Sequence, residues 1–269
     1  MSIIQLYSEA LTLLEESFHA LERRIESPEL RQLAFGAAYR YPTQSIEAAV
    51  IQKLARVISG LNACMVLLEK GLVQELAALQ RMLDDFCQDL FFLCQPLVGG
   101  ERTTLHDQYL QYFYQEEIDS HGNPFLSEQN RPQIPRKKIQ AANARTNEAL
   151  LNLSDAQELM RSLNKAYSGF VHGASPHIME MYGGAPPRFH VSGMLGTPRI
   201  EEFTKSLWHY FHRGLNTAAL VAQGLGDRKV AQRILEFRGE FEDKSGKSAK
   251  GEASALMARV KAVRDPSDA

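Results

Sequence analysis

LVQELAALQRMLDDFCQDLFFLCQPL, residues 72–97, is the most regular stretch of the chain. Leu72, Leu76, Leu79, Leu83, Phe86, Leu90 and Leu93 alternate steps of four and three, which places them all on one side of a helix. A seam of that kind belongs to a helix packed in a bundle. Pro96 and the Gly99-Gly100 pair close it. The side away from the leucines carries Arg81, Asp84, Asp85, Gln88 and Asp89. Arg81 and Asp85 have the i,i+4 spacing of an ion pair. This face is expected to be solvated or paired with a neighbouring helix rather than to be a catalytic carboxylate pair.

Outward from that helix the same period recurs. Residues 2–26 carry Leu6, Ala10, Leu13, Leu14, Leu21 and Ile25 as an apolar stripe, and Pro28 ends them. Residues 29–42 are ambiguous and suit a short helix and a turn. A second long helix is expected from Thr43 to Gly71, and an aromatic one over 103–119 with Tyr109, Tyr112, Phe113 and Tyr114. A proline-rich stretch, 120–135, precedes a helix from Arg136 to about Leu153. Another opens at Ser154, with Gln157 at the capping-box position, and stops at Gly173 and Pro176. A second loop spans 183–198, with a short strand over Phe189–Val191. Helices follow over Arg199–Leu225 and, capped by Asp227, over 228–243. The expected fold is all-α: a multi-helix bundle with two long loops over 1–243, then a flexible linker and a short helix or tail over 244–269.

Composition restricts the function classes. The 269 residues are 44% hydrophobic and 23% charged with net charge -2, an ordinary globular balance with no overall bias toward nucleic acid or membrane surfaces. Charge interrupts the longest apolar runs, so no membrane span is expected. The first residues lack the basic region of a signal peptide. Cys64, Cys87 and Cys94 lie in apolar helical stretches and suit buried free thiols in a reducing cytoplasm.

The candidate site is the helix end and loop around 161–190. His172, His177 and His190 fall within nineteen residues. An imidazole there can act as general acid or base near neutral pH, with Arg161 or Arg188 holding an anion. His172, His177 and Arg161 are the candidate catalytic residues; Tyr167, Ser168, Tyr182, Arg188 and His190 are the candidate binding residues. The structural alternative is a polar helix side facing water or a neighbour, with His172 near the negative end of the helix dipole. His209 and His212 can reach one ion, and Glu16 and His19 have the Glu-x-x-His spacing, but no matching second motif exists. No metal or cofactor is expected. The tyrosines of 103–119 with Arg131, Arg136, Lys137, Lys138 and Arg145 can stack bases and hold phosphate, yet the rings suit a core equally well. Phosphate-binding glycine loops, the Gly-x-Ser-x-Gly elbow and paired Cys-x-x-Cys motifs are missing.

Arg81-Met82-Leu83-Asp84-Asp85 on the central helix and Tyr167-Ser168-Gly169-Phe170-Val171-His172 further on resemble the pattern of a broad group of helical bacterial proteins, over about a fifth of the chain. That resemblance implies an all-α bundle and no particular activity. Bundles of this look include the HEPN group, ribonucleases of toxin–antitoxin and phage-defence systems, in which an Arg precedes a His by four to six residues on one helix. Here ten residues separate Arg161 from His172, about 16 Å along a helix axis. The sequence therefore favours a cytoplasmic bacterial protein that acts by binding or assembly, with a protein partner or a second copy of itself. The alternative is a HEPN-like, metal-independent ribonuclease.

Overall fold

Ser2 starts the first helix. Its hydroxyl accepts from the Gln5 amide at 3.2 Å, and its own amide donates to Gln5 Oε1 at 2.8 Å, so two of the donors a helix start leaves over are satisfied at once. The structure, a computed structural model, describes residues 2–33, 36–118, 123, 125–146 and 168–248. Helix α1 spans Ile3–Glu22, and α2, capped by Ser45 Oγ, spans Ile46–Glu69. The seam helix α3 covers Val73–Cys94, and a 3₁₀ turn, Pro96–Val98, follows it. Then come α4 (Thr104–Tyr114), α5 (Arg136–Thr146) and the short α6 (Ser175–Met179). The long α7 (Pro198–Gly224) and α8 (Arg228–Ser245) complete the order. The fold is an all-α bundle.

Helix α7 lies at its centre, packed on α1, α2, α3 and α8. It buries Leu207, Trp208, Phe211 and Leu215, each side chain contributing about 1.5–3 kcal/mol by leaving water. Tyr7 of α1 stacks on Phe211 with ring centroids 4.5 Å apart and planes within 1°, while its hydroxyl donates to the Thr204 carbonyl at 2.8 Å. Helix α2 is long and apolar enough, by length and composition, to cross a membrane, but half of its apolar window is buried in the bundle against α1, α3 and α7.

The α3 seam is as expected. Leu76, Leu83, Leu90 and Leu93 are buried, with Leu79 and Phe86 partly buried against the core. Its polar side is largely enclosed as well, since Gln80, Asp84 and Asp89 are buried. Between a solvated face and an inter-helix pairing, the second holds.

Residues 29–42 differ from expectation. Instead of a short helix, strands β1 (Glu29–Leu33) and β2 (Gly36–Arg40) form an antiparallel ribbon, with Leu30 opposite Tyr39 and Leu33 opposite Gly36. Each strand is only five residues long, too short to display a period. Gly36 at φ +132° takes a backbone angle that other residues avoid, and it starts the return strand. A second small pairing joins β3 (Tyr182–Gly183) to β4 (Arg188–Phe189), one residue earlier than the expected strand. Helix α8 runs two residues past its expected end, stopping at Gly246 in the left-handed region. The helix expected from Ser154, apart from its last turn at 168–171, the end of the one before it, and the short helix after 254 lie outside the described residues.

Candidate functional site

Residues 168–171 are the last helical turn before Gly173, whose φ of +63° turns the chain and lets the Ala174 amide donate to the Gly169 carbonyl at 2.9 Å. Helix α6 and the β3–β4 pairing follow, closed by a bond from the His190 amide to the Met181 carbonyl at 2.9 Å. The chain then returns over the α2–α3 junction. There Met194, itself buried, donates its amide to the Gly71 carbonyl at 2.7 Å. Gly193 sits against the Lys70 carbonyl, closer than any Cβ would allow. Gln74 of α3 donates to the His177 carbonyl at 2.9 Å, and Arg199 of α7 reaches Glu180 at 3.4 Å. Residues 168–197 are thus fastened to the α2–α3 junction and α3 through backbone atoms, and to α7 through the Glu180 and Phe170 side chains, which leaves other side chains to be displayed.

The candidate residues are distributed along this segment in different settings. His172 is exposed, with its amide donating to the Ser168 carbonyl at 3.1 Å. Ser168 is half-buried. His177 is half-buried with its ring edge-on to Phe170 at 4.5 Å, and that phenyl ring in turn meets Phe203 of α7 at 6.4 Å. His190 is half-buried in the loop, and Arg188 is exposed on β4. Tyr182 is exposed and meets the Phe189 ring at 4.9 Å. Arg161 and Tyr167 lie outside the described residues.

Beyond Tyr182, what the sequence did not point to is apolar. Val171, Ile178, Met179, Tyr182, Phe189, Val191 and Leu195 are exposed large hydrophobic side chains within this one segment, with Val191 75% and Leu195 60% accessible. Presenting them to water gains no stability, and exposed apolar side chains that form a contiguous patch mark interaction surfaces. The signal was available: these residues sit in a Gly/Pro-rich stretch at no helical or strand period that would bury them.

The other polar constellation lies between α3, α4 and α5, and it is structural. Asp89, buried on α3, accepts from Lys53 of α2 at 2.9 Å, from the Tyr109 hydroxyl at 2.7 Å and from Arg136. Arg136 Nε also lies 3.2 Å from Asp85 Oδ1, and Arg81 pairs with Asp85 at 2.6 Å. Asn143 donates to the Gln88 carbonyl at 2.9 Å and accepts from Gln95 at 3.2 Å. Burial, and then the Asp89 carboxylate, hold the Tyr109 phenol far above its ordinary pKa. The first residue of the basic run Arg136-Lys137-Lys138 is therefore a half-buried fastener for α5, and the Tyr109 ring belongs to the core.

His212 and His19 have partners elsewhere in the bundle. His212 stacks on Trp208 at 4.9 Å and bonds Glu242 of α8 at 2.7 Å; burial lowers its pKa, against the pull of Glu242. Glu16 pairs with Arg233 at 2.6 Å, and His19 with Glu22 at 2.6 Å. Among the described residues no group of three or more His, Cys, Asp or Glu side chains is placed to hold a metal. No family model, curated protein or solved structure matches the chain.

Proposed function

We propose that this protein is a binding or assembly module of the bacterial cytoplasm, and that it engages a protein partner through the face displayed by residues 171–195. The observation behind this reading is the combination of a segment tied down by Gly71, Gln74 and Arg199 with seven exposed apolar side chains. Rigid presentation reduces the ordering cost a partner meets on docking. Three free, buried thiols suit the reducing compartment.

The test uses the full chain as bait in extracts of the organism that encodes it, beside a Met179→Asp/Val191→Asp variant and a His172→Ala/His177→Ala variant. Wild type and the histidine variant are expected to retain the same partner, and the apolar variant to lose it with its thermal midpoint unchanged. A partner kept by the folded apolar variant, or lost from the folded histidine variant, would overturn the reading.

The exposure of His172 at a helix end favours one alternative, a metal-independent ribonuclease with His172 as general acid or base. Cleavage of RNA without added metal, with an imidazole-governed pH profile and loss in His172→Ala, would establish it. Intact RNA across varied substrates would remove it.

A further inference from the structure

The β1–β2 ribbon stands between α1 and α2. Arg40 at the end of β2 is clamped by Glu116, with Nε to Oε1 at 2.5 Å and NH2 to Oε2 at 2.8 Å. Strand β1 is the outer strand: Glu29, Leu30, Arg31 and Gln32 are all exposed. Its backbone pairs with β2; among the described residues no further backbone–backbone hydrogen bond reaches it, and the Leu33 carbonyl accepts from the Gln32 side chain at 3.3 Å. A two-stranded ribbon is marginal by itself, and an open edge of amides and carbonyls is a template for another strand.

The side chains on that edge are self-complementary in one register. Let a second copy of β1 run antiparallel with Leu30 opposite Leu30. Glu29 of each copy then faces Arg31 of the other, giving two cross-strand ion pairs on one face of the sheet. Glu29 and Arg31 already share that face within a strand, 3.6 Å apart. On the opposite face Leu30, 61% exposed, has Tyr39, 66% exposed, beside it across the ribbon. Pairing two copies makes a continuous apolar row, Tyr39–Leu30–Leu30–Tyr39, over four strands. Registers centred on Glu29 or on Arg31 set like charges opposite each other instead, which disfavours them.

We propose that the protein self-associates through β1, two copies pairing antiparallel about Leu30 into a four-stranded sheet. The contact is separate from the 171–195 face and does not depend on what docks there.

Two measurements on the full chain test it. In Leu30→Cys the two new thiols face each other at the spacing of opposite residues in an antiparallel pair, about 4.5–5.5 Å between Cα atoms, within disulfide range. Mild oxidation should yield a covalent dimer, against a low background because Cys64, Cys87 and Cys94 are buried. Tyr39→Cys puts the thiols three strand spacings apart, about 14 Å, and should not cross-link. In sedimentation equilibrium Glu29→Arg and Arg31→Glu should each weaken self-association roughly tenfold, and the double reversal should restore it. Leu30→Cys remaining monomeric on oxidation would overturn the proposal. So would self-association that the single reversals leave unchanged, or that the double reversal fails to restore.

Discussion

The Tyr109 hydroxyl donates to Asp89 Oδ2 across 2.7 Å, and through this bond α4 is joined to a carboxylate that also receives Lys53 of α2 and Arg136 of α5. One buried oxyanion thus organises donors from three helices around a fourth. Lys53 stays near the axis of this group, with its ammonium 4.9 Å from the Phe86 ring centroid and 5.3 Å from that of Phe113.

Removing the carboxylate leaves Lys53 without its counter-charge, leaves Arg136 with Asp85 alone, and strips the Tyr109 hydroxyl of its acceptor. Asp89→Ala is expected to lower stability by about 3–5 kcal/mol, while Tyr109→Phe, which deletes one donor, costs about 1 kcal/mol. The midpoints of urea denaturation for the two variants measure the difference. Equal losses would contradict the role given to Asp89.

Stability should fall on mild acidification. Burial holds the His212 imidazole below its ordinary value of 6.5, and His106, stacked on Phe92, is lowered by the same cause. In this range the unfolded chain binds more protons than the folded one, so stability is full above about pH 6.5 and declines as pH drops through the lower folded values. His212→Gln should flatten part of that decline. Thermal midpoints taken from about pH 8 to about pH 5 would show it.

Gly193 marks where the displayed segment rests on the bundle. A Cβ there would drive into the Lys70 carbonyl, and φ of +109° strains any other residue. Gly193→Ala should cost about 1–3 kcal/mol locally and accelerate hydrogen exchange at the Met194 amide, with the amides of α7 unaffected.

The three cysteines should be inert in the folded protein. Burial pushes each thiol up to about 12, so almost no thiolate exists near neutrality. An alkylating reagent at about pH 8 should modify none of them before denaturant is added and all three afterwards.

The long helices were legible because burial on one side imposes a 3.6-residue period, and α3 displays it in every turn. What that period cannot show is the other side. Asp84 and Asp89 occupy positions a solvated face would also occupy, and only the arrival of Arg213 and Arg136, 129 and 47 residues further along the chain, makes them interior. The ribbon at 29–40 escaped because ELRQL and GAAYR carry no alternation and five residues are too few to reveal one. Residue type and proximity in sequence single out the histidines of 172–190. In the structure their loop is fastened largely by backbone atoms and by the Glu180–Arg199 pair, and the large apolar side chains it exposes are the more informative feature.

The embrace of α1 by α7 and α8 has a temporal side. Tyr7 stacks on Phe211, and Glu16 pairs with Arg233, so during synthesis α1 waits for partners that lie about 200 residues further along the chain. Until then its leucine stripe has only α2 to lie against, and the central layer of the bundle is missing. Synthesis cannot complete this core from one end. Nascent chains arrested before Pro198 should remain open to protease, and resistance should appear only once the Arg228–Ser245 helix has cleared the exit tunnel.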